Sequence, residues 1–121
     1  MIAAMRRLAP LLLLAACAGP TAATDGQWFG DMMPEQPAQG CQPGRASLVS
    51  RRDAVLFTPN EGTQTLTGTV TSAGAITAGR TAVGADKKPY ASSFEARVAD
   101  GTITGTYVTP RCRYGIRLTR P

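Results

Sequence analysis

From Ala46 to the C-terminus, apolar and polar positions alternate with a period of two. Thr65–Thr71 places Leu66, Gly68 and Val70 on one side and four threonines on the other. Phe94–Val98 sets Phe94, Ala96 and Val98 against Glu95 and Arg97, and Thr102–Tyr107 sets Ile103, Gly105 and Tyr107 against three threonines. Arg113–Thr119 opposes Tyr114, Ile116 and Leu118 to Arg113, Arg117 and Thr119. This is the pattern of half-buried strands; a 3.6-residue period would scatter the same apolar sets around a helix axis.

The breaks between these runs carry turn chemistry. Ser72-Ala73-Gly74 separates Val70 from Ile76, and Asp100-Gly101 separates Val98 from Ile103. Asp-Gly suits a type I′ turn, in which both central residues take positive φ. Arg51-Arg52-Asp53 reads as a third turn, Gly84–Ser92 as the longest later loop, and Thr109-Pro110 as a break before the last strand. Leu66–Gly79 and Phe94–Gly105 share an order of strand, glycine turn, Ile-Thr and glycine, the outline of a repeated hairpin.

Seven strands follow, near 46–50, 54–58, 65–71, 75–83, 93–98, 102–108 and 112–119. An eighth from Gln27–Met32, carrying Trp28, would let the meander close with antiparallel pairs throughout. The expectation is an all-β domain over 27–121, a small antiparallel up-and-down meander or barrel of seven to eight strands. An open two-sheet sandwich satisfies the same alternation. The inward set includes Leu48, Phe57, Leu66, Val70, Ile76, Phe94, Val98, Ile103, Tyr107, Tyr114, Ile116 and Leu118. Gly68, Gly79 and Gly105 stand inside strands, where glycine marks a bend or room for a large neighbour.

The N-terminus is different in kind. Arg6 and Arg7 precede the apolar stretch Leu8–Ala16, which is too short to span a bilayer as a helix and has the layout of a secretory signal. Leu14-Ala15-Ala16-Cys17 resembles the lipobox of bacterial lipoproteins. That resemblance implies removal of residues 1–16, a diacylglycerol thioether on Cys17, and anchoring to a membrane that the chain does not cross. Each buried methylene contributes about 0.8 kcal/mol, so two or three acyl chains hold where one only lingers. Residues 17–26 form a small, polar, flexible tether. Ala18, where an aspartate would favour inner-membrane retention, implies an outer-membrane location facing the periplasm.

Export changes the composition that matters. With Arg6 and Arg7 removed, 13 Lys+Arg against 8 Asp+Glu become 11 against 8, a net charge of +3. This mild excess does not suggest a nucleic-acid partner. Cys41 and Cys112 remain beside Cys17, and in an exported chain one leftover pair is expected to form a disulfide. Both lie at the same end of the meander. A free or metal-binding pair is the alternative, but the chain has no histidine, so zinc would need carboxylates.

The absence of histidine also removes the commonest general base and any Ser/His or Cys/His couple. The eight carboxylates are scattered, and no cofactor is implied. Arg111, Arg113 and Arg117 share one face of the last strand, with Arg97 on the same exterior. They are candidate contacts for lipid headgroups or glycan, and equally the solvated charges that guard a sheet.

The expected role is therefore non-enzymatic, structural or binding, with an envelope protein, lipid headgroup or glycan as partner. A closed barrel is also similar to lipocalins, which hold one small ligand, although strands of five to eight residues leave the interior to the protein's own side chains. The domain further resembles a family of small periplasmic protease inhibitors, eight-stranded barrels with a disulfide, in having Trp28 near its start. It departs from them in cysteine spacing. Their bridge closes a short N-terminal loop, whereas Cys41 and Cys112 bracket nearly the whole domain.

Overall fold

A computed structural model describes residues 24–35, 40–60 and 64–121. The lipobox with Cys17, and the tether up to residue 23, lie outside the described residues. Eight strands follow in order: β1 (Gly26–Pro34), β2 (Gly44–Arg51), β3 (Ala54–Pro59), β4 (Leu66–Val70), β5 (Ala75–Val83), β6 (Pro89–Ala99), β7 (Thr102–Val108) and β8 (Arg113–Thr119). Each pairs antiparallel with the next, and β1 also pairs antiparallel with β8, so the meander closes into a barrel. The sandwich is thereby replaced. The Trp28 segment supplies the closing strand, with Gly30 opposite Ala46 on one side and Leu118 on the other.

The closed barrel buries the face that the alternation marked as inward. Every member of the expected inward set is buried except Val98, which packs half-buried against the cluster near the β6–β7 turn. Trp28, Met32, Ala46, Val55 and Ala78 complete the interior. Phe57 stacks on Phe94 with ring centroids 3.9 Å apart, Tyr107 meets Phe57 edge-on at 5.6 Å, and Tyr114 stacks on Tyr107 at 5.6 Å. These rings pack together inside the barrel, each contributing large apolar area and a preferred ring geometry.

Small residues let so narrow a barrel curl. A Cβ on Gly68 would run into the Thr77 carbonyl oxygen, and one on Gly105 into the Glu95 carbonyl and Ala96. Gly30, in the closing strand, is pressed likewise against the Arg117 carbonyl. Gly79 does not share this role, because its Cβ would sit at an ordinary 3.5 Å from the Ser92 carbonyl.

The connections divide the barrel into two unlike ends. Even-numbered strands finish in tight turns at 52–53, 71–74 and 100–101. Asp100 and Gly101 both take positive φ, 53° and 74°, as the type I′ turn demands. Odd-numbered strands finish in the connections 35–43, 60–65, 84–88 and 109–112, of which the first three are longer than any turn at the other end. The β5–β6 loop is shorter than expected, since β6 already begins at Pro89; proline is tolerated at the first residue of a strand. The Cys41–Cys112 disulfide sits at this loop end, with Cα atoms 5.8 Å apart. It links the starts of β2 and β8, the two neighbours of β1, across the end of β1.

The chain enters and leaves at the opposite, tight-turn end. There the indole Nε1 of buried Trp28 donates to the Thr24 carbonyl at 2.8 Å, and the Arg120 guanidinium lies 4.4 Å over the Trp28 ring. Asp25 accepts from the Arg52 backbone N–H at 2.7 Å. The start of the domain is thus fastened to the barrel floor.

Candidate functional site

The loop end holds a cleft of about 570 Å³, lined by Gln64, by 84–86 and 88–90 of the β5–β6 hairpin, by Ser92 and by the 109–112 turn. This is within the usual range for small-molecule sites. The pairing of β5 with β6 continues to Val83 and Pro89, which carries this hairpin beyond the core residues Ala78 and Phe94. Along β6 the positions Phe94, Ser92 and Tyr90 pass from core to cleft, and along β5 the buried Ile76 and Ala78 are followed by exposed Arg80, which is in register with Ser92 but does not line the cleft.

Beneath the cleft, Gln64 Nε2 donates to the Tyr107 hydroxyl at 3.1 Å. Burial pushes the Tyr107 hydroxyl above its ordinary pKa of 10.0. The Ser92 side chain close by pulls it down, Tyr114 and Tyr90 push it up, and the Arg80 charge pulls it down. Ser92 lies near this hydroxyl without hydrogen-bond geometry, so its Oγ is buried, in a residue only 3% exposed, with no partner among the described groups. Such an orphan is uncommon and calls for a partner. At the rim, Asp86 is engaged by the Lys88 backbone N–H at 3.0 Å.

The structure separates the expected arginine face. Arg111 is not on the last strand; it belongs to the 109–112 turn and lines the cleft, because β8 starts only at Arg113. Arg113 pairs with Glu35 at 3.2 Å. Arg97 and Arg117 lie in one row around the outside, Arg97–Thr104–Arg117–Asp31–Arg45, in which Arg45 binds Asp31 at 2.8 Å. Acid is interleaved with base there, as on an ordinary solvated wall. A groove of about 270 Å³ beside Phe29 and Thr58 opens on the same outer surface, next to exposed Val49 and Leu56.

Among the described residues no three His, Cys, Asp or Glu side chains gather where they could hold a metal ion, and no helix is long and apolar enough to cross a membrane. The chain matches no family model, no curated protein and no solved structure.

Gln64, Arg80, Tyr90 and Ser92 are not singled out by the sequence. Gln64 comes from the connection before β4, Arg80 from β5, and Tyr90 and Ser92 from β6, and only the folded barrel brings them to one end. Arg80 did leave a trace: it is a charge that continues the alternation of Ile76 and Ala78, and the structure leaves it exposed beyond the core.

Proposed function

We propose that this chain is a lipid-tethered, non-enzymatic binding module of the bacterial envelope, held to the membrane through Cys17 and presenting the cleft at its loop end. The observation that carries this reading is the polarity of the barrel. The described chain begins at the tight-turn end, where Trp28 and Arg120 fasten it, while the cleft and the disulfide are at the other. Seven residue steps separate Cys17 from Thr24, so at about 3.5 Å per residue the anchor stays within about 25 Å of the closed floor. The cleft then faces away from the bilayer, towards soluble ligands or the next layer of the envelope.

Two further features support it. A disulfide suits an oxidising compartment. The row of Arg97, Arg117, Asp31 and Arg45 puts charge around the barrel's waist, which does not suit a barrel with its wall in lipid. The interior is occupied by stacked rings, so binding belongs to the end of the barrel and differs from the central cavity of a lipocalin.

The test has two arms. Cys17→Ser is expected to move the protein from the membrane to the soluble fraction after a high-salt wash; retention on the membrane would remove the tether. A photo-reactive phenylalanine analogue at Ala85, on the cleft, is expected to cross-link in intact envelopes, and one at Thr69, on the outer wall, is not. Equal labelling from both positions would remove the loop end as the binding face.

A further inference from the structure

The cleft combines an apolar wall, cations at the rim and an unpaired hydroxyl at the floor, and these point to one kind of ligand. Pro89, Tyr90 and Pro110 supply flat, weakly polar surface of the kind that packs against a ring. Lys88 and Arg111 line the rim, and neither forms an ion pair among the described residues. Arg80, in register with Ser92 one strand away, adds a third positive charge near enough to act on Tyr107. The opposing charge is Asp86, whose Oδ1 is taken by the Lys88 backbone N–H. Ser92 Oγ below, close to the Tyr107 hydroxyl but outside hydrogen-bond geometry, can give or accept one hydrogen bond.

Resting on the reading of the loop end as the binding face, we propose that the cleft takes a sugar-sized organic anion. Its ring lies against Tyr90 and the two prolines, its carboxylate or phosphate meets Arg111 and Lys88, and one of its hydroxyls satisfies Ser92. The volume of about 570 Å³ accommodates one or two such rings. Charge attracts the ligand and holds its acidic group, while the orphan hydroxyl discriminates for a hydroxylated body. An apolar anion would leave Ser92 unpaired, and a bare anion would leave the ring surface uncovered.

Calorimetric titration of the full chain, purified in non-ionic detergent, tests this with four probes: glucuronate, glucose 6-phosphate, glucose and inorganic phosphate. At least one acidic sugar is expected to bind saturably and at least tenfold more tightly than both glucose and inorganic phosphate. The preferred acidic sugar tells carboxylate from phosphate. Arg111→Gln is expected to weaken it about tenfold, and Ser92→Val to weaken acidic and neutral sugars alike, in proteins whose thermal midpoints match the parent within a few degrees. Lys88→Gln, at an exposed position that cannot disturb folding, guards against loss of fold and is expected to weaken the acidic sugar several-fold.

The proposal is overturned if glucose binds as tightly as the acidic sugars, if inorganic phosphate does so, or if none of the four binds saturably. In each of these cases the tethered module still stands on the Cys17→Ser fractionation and the Ala85 cross-link, which use no sugar.

Discussion

Tyr107 shows how one residue serves both core and cleft. Its ring stacks on Tyr114 and meets Phe57 edge-on, while its hydroxyl reaches Gln64 at the barrel's end. Burial raises its pKa in the folded state, so the folded protein holds this proton more tightly than the unfolded chain does. That contribution to stability is complete below the ordinary value of 10.0 and is lost as pH rises from there through the folded value. Tyr107→Phe is therefore expected to flatten the fall in thermal midpoint between neutral and strongly alkaline pH. Melting curves of the two proteins across that range check it, and identical slopes would show that the hydroxyl is not held in a desolvated site. Ser50 offers a contrast to Ser92: its Oγ is also buried without a partner, but it lies at the tight-turn end, away from any residue of the cleft.

At the scale of the strand, glycines separate positions that are pressed by a neighbour from those that are not. Gly105 in β7 lies opposite Ala96 and Ile116, and its missing Cβ is the space that the Glu95 carbonyl and Ala96 use. Gly105→Ala is expected to destabilise by about 1–3 kcal/mol, because relief requires β6 and β7 to shift apart. Gly79→Ala meets only an ordinary contact, and the methyl group removes backbone freedom from the unfolded chain. It is expected to be neutral or to stabilise by less than about 1 kcal/mol. Urea denaturation of the pair decides it; equal effects would mean that these strands are not in close approach at Gly105. The alternating pattern made both glycines visible as interruptions of strands. It did not tell them apart, because the distinction is set by which neighbouring backbone faces each one.

For the molecule as a whole, the disulfide acts on the seam. Cys41 and Cys112 are 71 residues apart in sequence, and their bond ties β2 to β8 over the end of β1, the strand that closes the barrel. Constraint of so long a loop in the unfolded chain contributes about 2–4 kcal/mol. Reduction, or Cys41→Ser with Cys112→Ser, is expected to lower the urea midpoint by a corresponding amount. Hydrogen exchange is expected to accelerate first at the β1–β2 and β1–β8 pairs near the loop end, while β3–β7 change less. Uniform acceleration across all strands would show that the bond acts on the unfolded chain alone and has no local part in holding the seam.

The sequence by itself determined the elements, the inward face of those after β1 and the cysteine pair, because a period of two and glycine turns are local and are read within a few residues. It also marked Trp28 as the means of closure. Tertiary structure alone decided that the sheet closes, since that depends on the summed curl of eight strands and on glycines pressed against their neighbours. It also moved Arg111 from an outer wall into a cleft, and gathered Gln64, Arg80, Tyr90 and Ser92 from separate strands and loops beside it. Those residues lie far apart along the chain and share no period, so only the closed ring of hydrogen bonds brings their side chains to one end.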